Sequence, residues 1–291
     1  MKKKRSAKSL IFPAINAVIM ISVIVITLYP FWNQVILSFA KREYLYAVDA
    51  QWYPKSFDFS SYKVLLHYKD IWVGYLNTII RTVVGTVLSL IVTALIAYPL
   101  TKPDLPFRKG ITVLIMFTML FSGGLIPTFL TVKNLGLYNT VWAIALPGAI
   151  STWNLIIMRT FFMGLPAELE ESAQLDGAND FTIFARIILP LSKASIATIA
   201  LFYGVGHWNN WFSGMIYFKN SKSYPLQTIL RSIVINSEVS DEITVDEVIN
   251  SISAEGIKYS TLVVSMVPMM AVYPFIQKYF VKGVMIGSLK G

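Results

Sequence analysis

Six long apolar segments alternate with polar ones along this chain of 291 residues. A helix needs roughly 20 mostly apolar residues to cross a bilayer. The segments that meet this length are about 11–32, 72–99, 111–132, 140–162, 192–217 and 258–280. The length of the chain therefore reflects repeated spans rather than two soluble cores. The pattern predicts an all-α polytopic membrane protein with six transmembrane helices.

The basic residues cluster at the ends of the apolar runs, and they predict the topology. Residues 1–9 form a basic tail, which the preference of Lys and Arg for the cytoplasmic side places inside the cell. Six crossings return the C-terminus, which carries further lysines, to the same side. The same threading puts the polar segment 165–190 in the cytoplasm and the long loops 40–70 and 218–257 outside.

The N-terminal apolar run raises the alternative of a cleaved signal peptide. The run is longer than the apolar region of a signal peptide, and no small-residue cleavage site follows it. We therefore expect it to be retained as the first span.

The composition agrees with a membrane protein and argues against other classes. Hydrophobic residues make up 55% of the chain, charged residues make up 14%, and the mean hydropathy is +0.59. The chain has no cysteine, and its two histidines, His67 and His207, lie far apart, so we expect no metal site. The net charge of +9 is not arranged as a basic stripe interleaved with aromatic residues, so we expect no nucleic-acid partner.

Ionisable residues are nearly absent from the middle of the spans. No Asp or Glu lies there, and Arg81 sits near the outer end of the second span. Proton- or sodium-coupled transporters, voltage sensors and intramembrane enzymes need such residues, so these classes are not favoured. The chain also lacks the phosphate-binding pattern G-x-x-x-x-G-K-[ST]. We expect no catalytic residue and no bound cofactor here; in an ATP-driven transporter another subunit would hold ATP and Mg.

Neutral amides and aromatic rings are the polar groups that the spans do offer. They are Asn77, Asn154, Trp208, Asn209, Asn210 and Trp211. Amides supply donors and acceptors together, and indole rings stack on the C–H face of a sugar, so this set suits a pathway for an uncharged, hydroxyl-rich solute. The alternative is an aromatic belt at the outer membrane interface.

Two further patterns concern shape. Prolines and glycines inside the spans, such as the pair Gly123–Gly124 before Pro127, predict kinks. In the outer loop 218–257, Thr244 and Glu247 have the spacing of a capping box, which predicts a helix there. That helix could be a lid on the outer ends of the spans or a contact for an extracellular partner.

The polar, acidic segment 165–190, which we call the docking loop, is unusual among these spans. Pro166 suits a first helical residue, and the acidic residues that follow complement the helix dipole. Gly177 is expected to break this helix, because glycine tolerates conformations that other residues avoid. Asn179 or Asp180 can then cap a second short helix leading into the fifth span. Two short helices joined at a glycine form a wedge that can enter a cleft in another protein.

Several short motifs occur at fixed spacing in the docking loop. They are Glu171-Ser172-Ala173, Asp176-Gly177-Ala178, Phe184 and Ile187-Ile188-Leu189-Pro190. Together they closely resemble the Glu-Ala-Ala loop of binding-protein-dependent ABC importer permeases, with Ser172 in place of the first alanine and Ala194 where sugar permeases often carry proline. The resemblance covers nearly the whole chain and is greatest to the branch that carries oligosaccharides and polysaccharides.

This resemblance implies a type I ABC importer permease fold with cytoplasmic coupling helices. It also implies one membrane subunit of an ATP-driven oligosaccharide importer. The implied partners are a second permease of similar fold, two ABC ATPase subunits, an extracellular solute-binding lipoprotein and the lipid bilayer. The residues implied to dock the ATPase are Glu171, Ala173, Asp176, Gly177, Ala178, Phe184, Ile187, Leu189 and Pro190. Among these, Gly177 is expected to matter most.

The implied organisation is a cytoplasmic tail at 1–9 and a single permease domain at 10–291. Within this domain 72–280 would hold five core spans, 165–190 the docking loop and 218–257 the extracellular loop. A non-transporting scaffold or regulatory protein that recruits a cytosolic partner through the docking loop is the alternative. The amides and tryptophans in the spans argue against that alternative.

Overall fold

A computed structural model describes residues 7–45, 52–239 and 254–288, and these residues form helices without a strand among them. The helices are α1 (Ala7–Ser38), α2 (Arg42–Leu45), α3 (Ser60–His67), α4 (Lys69–Ala97), α5 (Arg108–Leu120), α6 (Leu125–Asn134), α7 (Trp142–Ala145), α8 (Thr152–Met163), α9 (Ala167–Leu175), α10 (Asp180–Ile183), α11 (Leu189–Leu191), α12 (Lys193–Trp208), α13 (Phe212–Tyr217), α14 (Leu226–Val239) and α15 (Ala254–Ser288). The predicted all-α class is confirmed.

Three helical segments are long and apolar enough to cross a membrane. They are Ile11–Ser38, Lys69–Thr101 and Glu255–Pro274, and they correspond to the predicted first, second and sixth spans. No residue of the most hydrophobic window of α1 is buried inside the chain. A helix that is apolar on all sides and uncovered by its own chain is suited to contact lipid or another subunit.

The predicted third span is broken, which corrects the expectation of one continuous helix over 111–132. The helices α5 and α6 meet at 113° across residues 121–124. Gly124 has a φ of +87°, which L side chains rarely adopt. The Ser122 hydroxyl accepts a hydrogen bond from the Gly124 amide at 3.3 Å, a local turn that competes with the helix.

The predicted fourth and fifth spans are interrupted as well. The helix α7 ends at Ala145 and α8 begins at Thr152, because Pro147 between them lacks the amide hydrogen that a helix interior requires. The fifth segment, 192–217, forms α12 and α13 with a break at residues 209–211. Neither predicted segment is therefore one continuous helix.

The number of spans depends on how the bent helices are counted. The described residues hold three spans, or up to five if each bent pair of helices counts as one span. The first bent pair is α5 with α6, and the second is Asp180–Leu191 with α12, which meet at 81°. The helix α8 has only 12 residues, which is too short to cross a bilayer alone. The predicted count of six is therefore not reached by length and composition among the residues that the structure describes.

The described residues divide into two compact units: those within the ranges 1–68 and 232–266, and those within the ranges 69–231 and 267–291. In the first unit, the hydroxyl groups of Ser38 and Tyr62 form a hydrogen bond of 2.7 Å. The assignment of 10–291 as one domain stays a prediction.

The second unit is organised around α4, which packs against α12 and α8. Small residues recur on the buried face of α4 at three- and four-residue intervals and include Gly85, Ser89 and Thr93. They allow close approach: the Thr93 hydroxyl forms a hydrogen bond of 2.7 Å with the Tyr203 hydroxyl of α12. A Cβ atom added at Gly85 would lie 2.6 Å from two atoms of the His207 ring. Small residues at such contacts are typical of membrane helices.

The two loops predicted to lie outside the cell hold helices that the sequence did not place. The helix α3 lies within the loop 40–70, and α14 lies within the loop 218–257. Leu226, at the start of α14, is almost fully buried, and its backbone approaches Gly74 of α4. The capping-box helix expected at Thr244 falls outside the described residues.

Candidate functional site

The docking loop begins with α9 and turns at Gly177, as the sequence predicted. Gly177 has a φ of +81°. Its amide donates to the Gln174 carbonyl at 3.0 Å, and the Ala178 amide donates to the Ala173 carbonyl at 2.9 Å. This pair of hydrogen bonds is the Schellman motif, which ends a helix at a left-handed glycine. Pro166 is the N-cap residue of α9 and not its first helical residue, which corrects the prediction by one position.

The second part of the docking loop leads directly into α12. The Asn179 side chain accepts a hydrogen bond from the Thr182 amide at 2.8 Å and caps α10, as predicted. A turn of π-helix at Phe184–Ile188 and the short helix α11 follow without a gap. The chain then bends by 81° into α12. The docking loop is thus continuous with the fifth predicted span through helical turns.

The residues predicted to dock the ATPase divide between two faces of the docking loop. Ala173 and Phe184 are buried in a core cluster that also contains Tyr98, Met158 and Ile199. Their side chains shape the loop from within, and the loop thereby packs on three predicted spans. A further group, Ala178, Ile187 and Leu189, is half-buried.

The other predicted docking residues, Glu171, Asp176, Gly177 and Pro190, are exposed. Two large apolar side chains that the prediction did not include are exposed beside them. Leu175 is 91% exposed and Phe181 is 71% exposed. Exposed apolar side chains on a polar loop are typical of a surface that a partner covers, and the composition of α9 gave no sign that Leu175 would face outward.

An ion pair ties the docking loop to the end of the second span. The Lys102 ammonium pairs with the Glu170 carboxylate of α9, and it lies 4.6 Å from the centre of the Tyr98 ring. Burial lowers the pKa of Lys102, but its pairing with the Glu170 carboxylate outweighs burial, so that the pKa is raised above its ordinary value. The Arg159 guanidinium donates to the Leu100 carbonyl at 2.9 Å and fixes the same turn.

The predicted pathway residues do not form one constellation. The Asn77 amide donates to the carbonyls of Lys222 and Tyr224 at 2.9 and 3.2 Å, so it anchors the turn before α14. Asn154 is 5% exposed on α8. Within the described residues, no hydrogen bond joins either amide to the segment Trp208–Trp211.

The members of the segment 208–211 have different environments. Trp208 is 5% exposed, its ring centre lies 6.3 Å from that of Tyr75, and its indole N–H has no hydrogen-bond partner among the described residues. The Asn210 side chain accepts from the Ser213 amide at 3.1 Å. Asn209 is exposed. Of the two adjacent asparagines, only Asn209 presents its side chain without such a structural bond in the described part of the chain.

Two arginines stack on aromatic rings in this unit, and the sequence gave them no role. The guanidinium carbon of Arg231 lies 3.7 Å from the centre of the Trp211 ring. That of Arg81 lies 3.9 Å from the centre of the Phe218 ring, and Arg81 donates to the Ser223 carbonyl. For Arg81 the sequence did contain a signal, because a charged residue in an apolar helix usually has a specific partner. Trp211 is therefore partly covered by its own chain.

These features define a class of protein. Apolar helices long enough to cross a membrane are combined with a polar, glycine-turned loop whose buried face packs on those helices and whose other face is exposed. In its described residues the chain is a helical protein of the integral membrane class.

The family follows from the comparison with known proteins. Residues 71–286 match the family described as binding-protein-dependent transport system inner membrane component, and the chain belongs to this family. The family is the membrane component of ABC importers, so this chain is a permease subunit and the ATPase is a separate subunit. The predicted permease fold and the prediction of a non-catalytic subunit are confirmed.

Similar proteins are found among characterised sequences and solved structures. Protein LplC of Bacillus subtilis (strain 168) is 43% identical over 97% of this chain and 95% of its own length. The polygalacturonan/rhamnogalacturonan transport system permease protein YtcP of the same organism is 42% identical over 91% of this chain and 93% of its own length. A chain of a bacterial ABC transporter involved in the import of the acidic polysaccharide alginate superimposes with a TM-score of 0.85, at 34% identity over 96% of this chain and 100% of that chain.

Proposed function

We propose that this chain forms one half of a heterodimeric pathway through which an ATP-driven importer moves an oligosaccharide into the cell. The names of two similar proteins support the substrate class, since one refers to polygalacturonan and rhamnogalacturonan and the other to alginate. The chain is the transmembrane part, with its termini and the docking loop 165–190 in the cytoplasm and the loop 218–257 outside.

The observation that carries this proposal is the two-faced docking loop. Its exposed face, with Glu171, Asp176 and Gly177, enters a cleft in an ABC ATPase subunit. Its buried face, with Ala173 and Phe184, is packed on the helices of the same unit. Because packed interiors transmit displacement and deform little, a movement of the ATPase is passed through this loop to α4, α8 and α12.

The family description supports one further partner, since transport in this family depends on a binding protein. A solute-binding lipoprotein delivers the sugar at the outer face, and a second permease of similar fold completes the pathway. Two ATPase subunits hold ATP and Mg. On this chain the exposed Asn209 is the side chain best placed to contact sugar in the segment 208–211, since Trp208 is buried and Asn210 is hydrogen-bonded.

Reconstitution tests this function. The two permeases and the ATPase are placed in proteoliposomes with ATP inside and the sugar-loaded binding protein outside. Uptake of labelled sugar is expected only when this chain is included. The purified chain alone is expected to show no ATP hydrolysis. Uptake that persists without this chain, or ATP turnover by this chain after removal of contaminants, would contradict the proposal.

A further inference from the structure

A cavity of about 340 Å³ lies beside the docking loop, next to the ion pair of Lys102 and Glu170. It lies between the end of α4, the loop that follows α4, and α10. Three aromatic rings, those of Tyr98, Phe181 and Phe184, contribute to its walls, together with apolar groups such as Leu105. The cavity therefore offers flat, apolar surfaces to a side chain that enters it.

The charged residues that line this cavity leave it with an excess of negative charge. Lys102 lines it, but its ammonium already pairs with Glu170. Asp104 and Asp180 also line it and are exposed. Neither carboxylate forms an ion pair within the described ranges 7–45, 52–239 and 254–288. The nearby Arg108 directs its guanidinium to the Lys102 carbonyl, at 3.1 Å.

Two exposed aromatic rings lie at or near the cavity. Phe181 lines it and is 71% exposed. Phe107, two residues beyond the lining residue Leu105, is 88% exposed and has a φ of +58°. A bulky residue in this left-handed region is uncommon, and such strain tends to occur where a protein meets a partner or ligand. The surroundings of the cavity are thus apolar as well as acidic.

We infer that this cavity receives an arginine side chain of the ATPase subunit, an inference that rests on the proposed function. A guanidinium group stacks on aromatic faces and forms paired hydrogen bonds with carboxylates. The rings of Tyr98, Phe181 and Phe184 meet the first requirement, and Asp104 and Asp180 meet the second. A lysine ammonium is a compact, strongly hydrated charge and matches flat rings less well.

This contact makes the docking reciprocal. The docking loop enters the ATPase, and an ATPase side chain enters the permease between the docking loop and the end of α4. The arginine then holds α4 and α10 against each other from outside. Because oppositely charged surfaces favour the correct partner over others, the acidic cavity also selects among ATPases.

Crosslinking in the complete transporter tests this contact. The chain contains no cysteine, so Asp104→Cys gives it a single thiol. A crosslinker with a thiol-reactive maleimide at one end and an arginine-reactive glyoxal at the other is applied to membranes that contain all subunits. We expect an adduct between position 104 and an arginine of the ATPase, identified by mass spectrometry. Lys109→Cys, an exposed position in the first turn of α5 that does not line the cavity, is the matched control and is expected to give less of this adduct.

A second measurement uses substitutions that change only charge. The double variant Asp104→Asn/Asp180→Asn is expected to weaken ATPase binding about 10-fold and to reduce its dependence on salt, because charge-assisted hydrogen bonds are lost. Glu43→Gln removes one charge from an exposed position outside the docking loop and is expected to change binding by less than about 2-fold.

The outcomes separate the inference from the proposed function. If the ATPase copurifies but position 104 forms no arginine adduct and the double variant binds normally, the cavity assignment is wrong and the docking function stands. An adduct with the second permease instead of the ATPase also overturns the assignment. If no ATPase copurifies with the wild-type chain under any condition, both the inference and the proposed function fail.

Discussion

Lys102 and Glu170 lie 68 residues apart in the sequence and form an ion pair between the end of the second span and the first helix of the docking loop. Both side chains are about four-fifths buried, with 20% and 23% of their side-chain surface exposed. The pair sits beside the contact between the rings of Tyr98 and Phe184, whose centres are 5.2 Å apart. The docking loop is therefore fixed to α4 as well as to the helix that it precedes.

Reversing one charge of this pair is expected to impair transport. Glu170→Lys places two ammonium groups together. We expect sugar uptake to be at least about 5-fold lower, because α4 no longer follows the docking loop. The variant is also expected to lose about 1 kcal/mol of stability. Uptake into membrane vesicles and immunoblotting of the membrane fraction measure the two effects. The exchanged pair Lys102→Glu/Glu170→Lys should restore uptake, and a failure of this double variant to recover would show that the pair does not link α4 to the loop.

The same pair makes a prediction about pH. Because the pKa of Lys102 is raised in the folded protein, the contribution of the pair is complete below the ordinary lysine pKa, about 10.4. It is lost only as the pH rises through the raised value. The destabilisation caused by Glu170→Gln, followed by thermal unfolding in detergent, should therefore be equal at about pH 7 and about pH 9. A destabilisation that shrinks over this interval would contradict the assignment.

Substitutions at Gly177 can separate the effect of backbone strain from the effect of a bulky side chain on docking. A Cβ atom there would meet nothing within 4 Å among the described residues, so a large side chain has room to extend away from this chain and toward a docking partner. We expect Gly177→Trp to abolish uptake, with the protein still in the membrane. Gly136 has a φ of +72° and similar open space, so Gly136→Trp imposes the same backbone strain outside the docking loop. Equal loss of uptake in both variants would point to strain instead of docking.

Asn209 and Asn210 differ in what their replacement would remove. Asn209→Leu takes away an exposed amide, and we expect reduced uptake with normal ATPase binding. Asn210→Leu also removes the hydrogen bond to the Ser213 amide, which should cost about 1 kcal/mol of stability. Asn210→Asp keeps an acceptor at that position and serves as the control for stability. Normal uptake by Asn209→Leu would exclude this side chain from the sugar pathway.

The contact between α4 and α12 at Gly85 is expected to tolerate no added side chain. Gly85→Ala would place a methyl group 2.6 Å from atoms of the His207 ring, and we expect a loss of about 1–3 kcal/mol in stability. The double variant Gly85→Ala/His207→Ala should recover part of this loss, as a double-mutant cycle measures. Gly110→Ala is the control, since a Cβ atom added there meets nothing within 4 Å in the described part of the chain. Additive effects at positions 85 and 207 would rule out the contact.

The sequence predicted the docking loop well because its signals are local. The turn at Gly177 and the cap at Asn179 each depend on residues within one turn of helix. That these residues dock an ATPase stays a prediction. Which of its residues face outward was not predictable, since the burial of Ala173 and Phe184 depends on α4, α8 and α12 packing against them.

The interrupted spans were harder to predict for a different reason. Average hydropathy over 111–132 is high, and it does not change when a segment such as Ser122–Gly124 leaves the helix. The break depends on the φ of Gly124 and on where α5 and α6 pack, which a mean over a window cannot contain. The anchoring of Asn77 on the carbonyls of Lys222 and Tyr224 was likewise out of reach, because 145 residues or more separate the partners.

The sharp bend between α5 and α6 has a consequence for biosynthesis. With 13 and 10 residues, these helices measure about 20 Å and about 15 Å along their axes, and each is shorter than the roughly 30 Å hydrocarbon layer. The insertion machinery must therefore release both arms into lipid together, as one hydrophobic unit. If the pair crosses the membrane once, as in the proposed topology, a polar substitution that kept this unit out of the bilayer would invert the spans synthesised after it, and the finished subunit would present its docking loop to the outside of the cell.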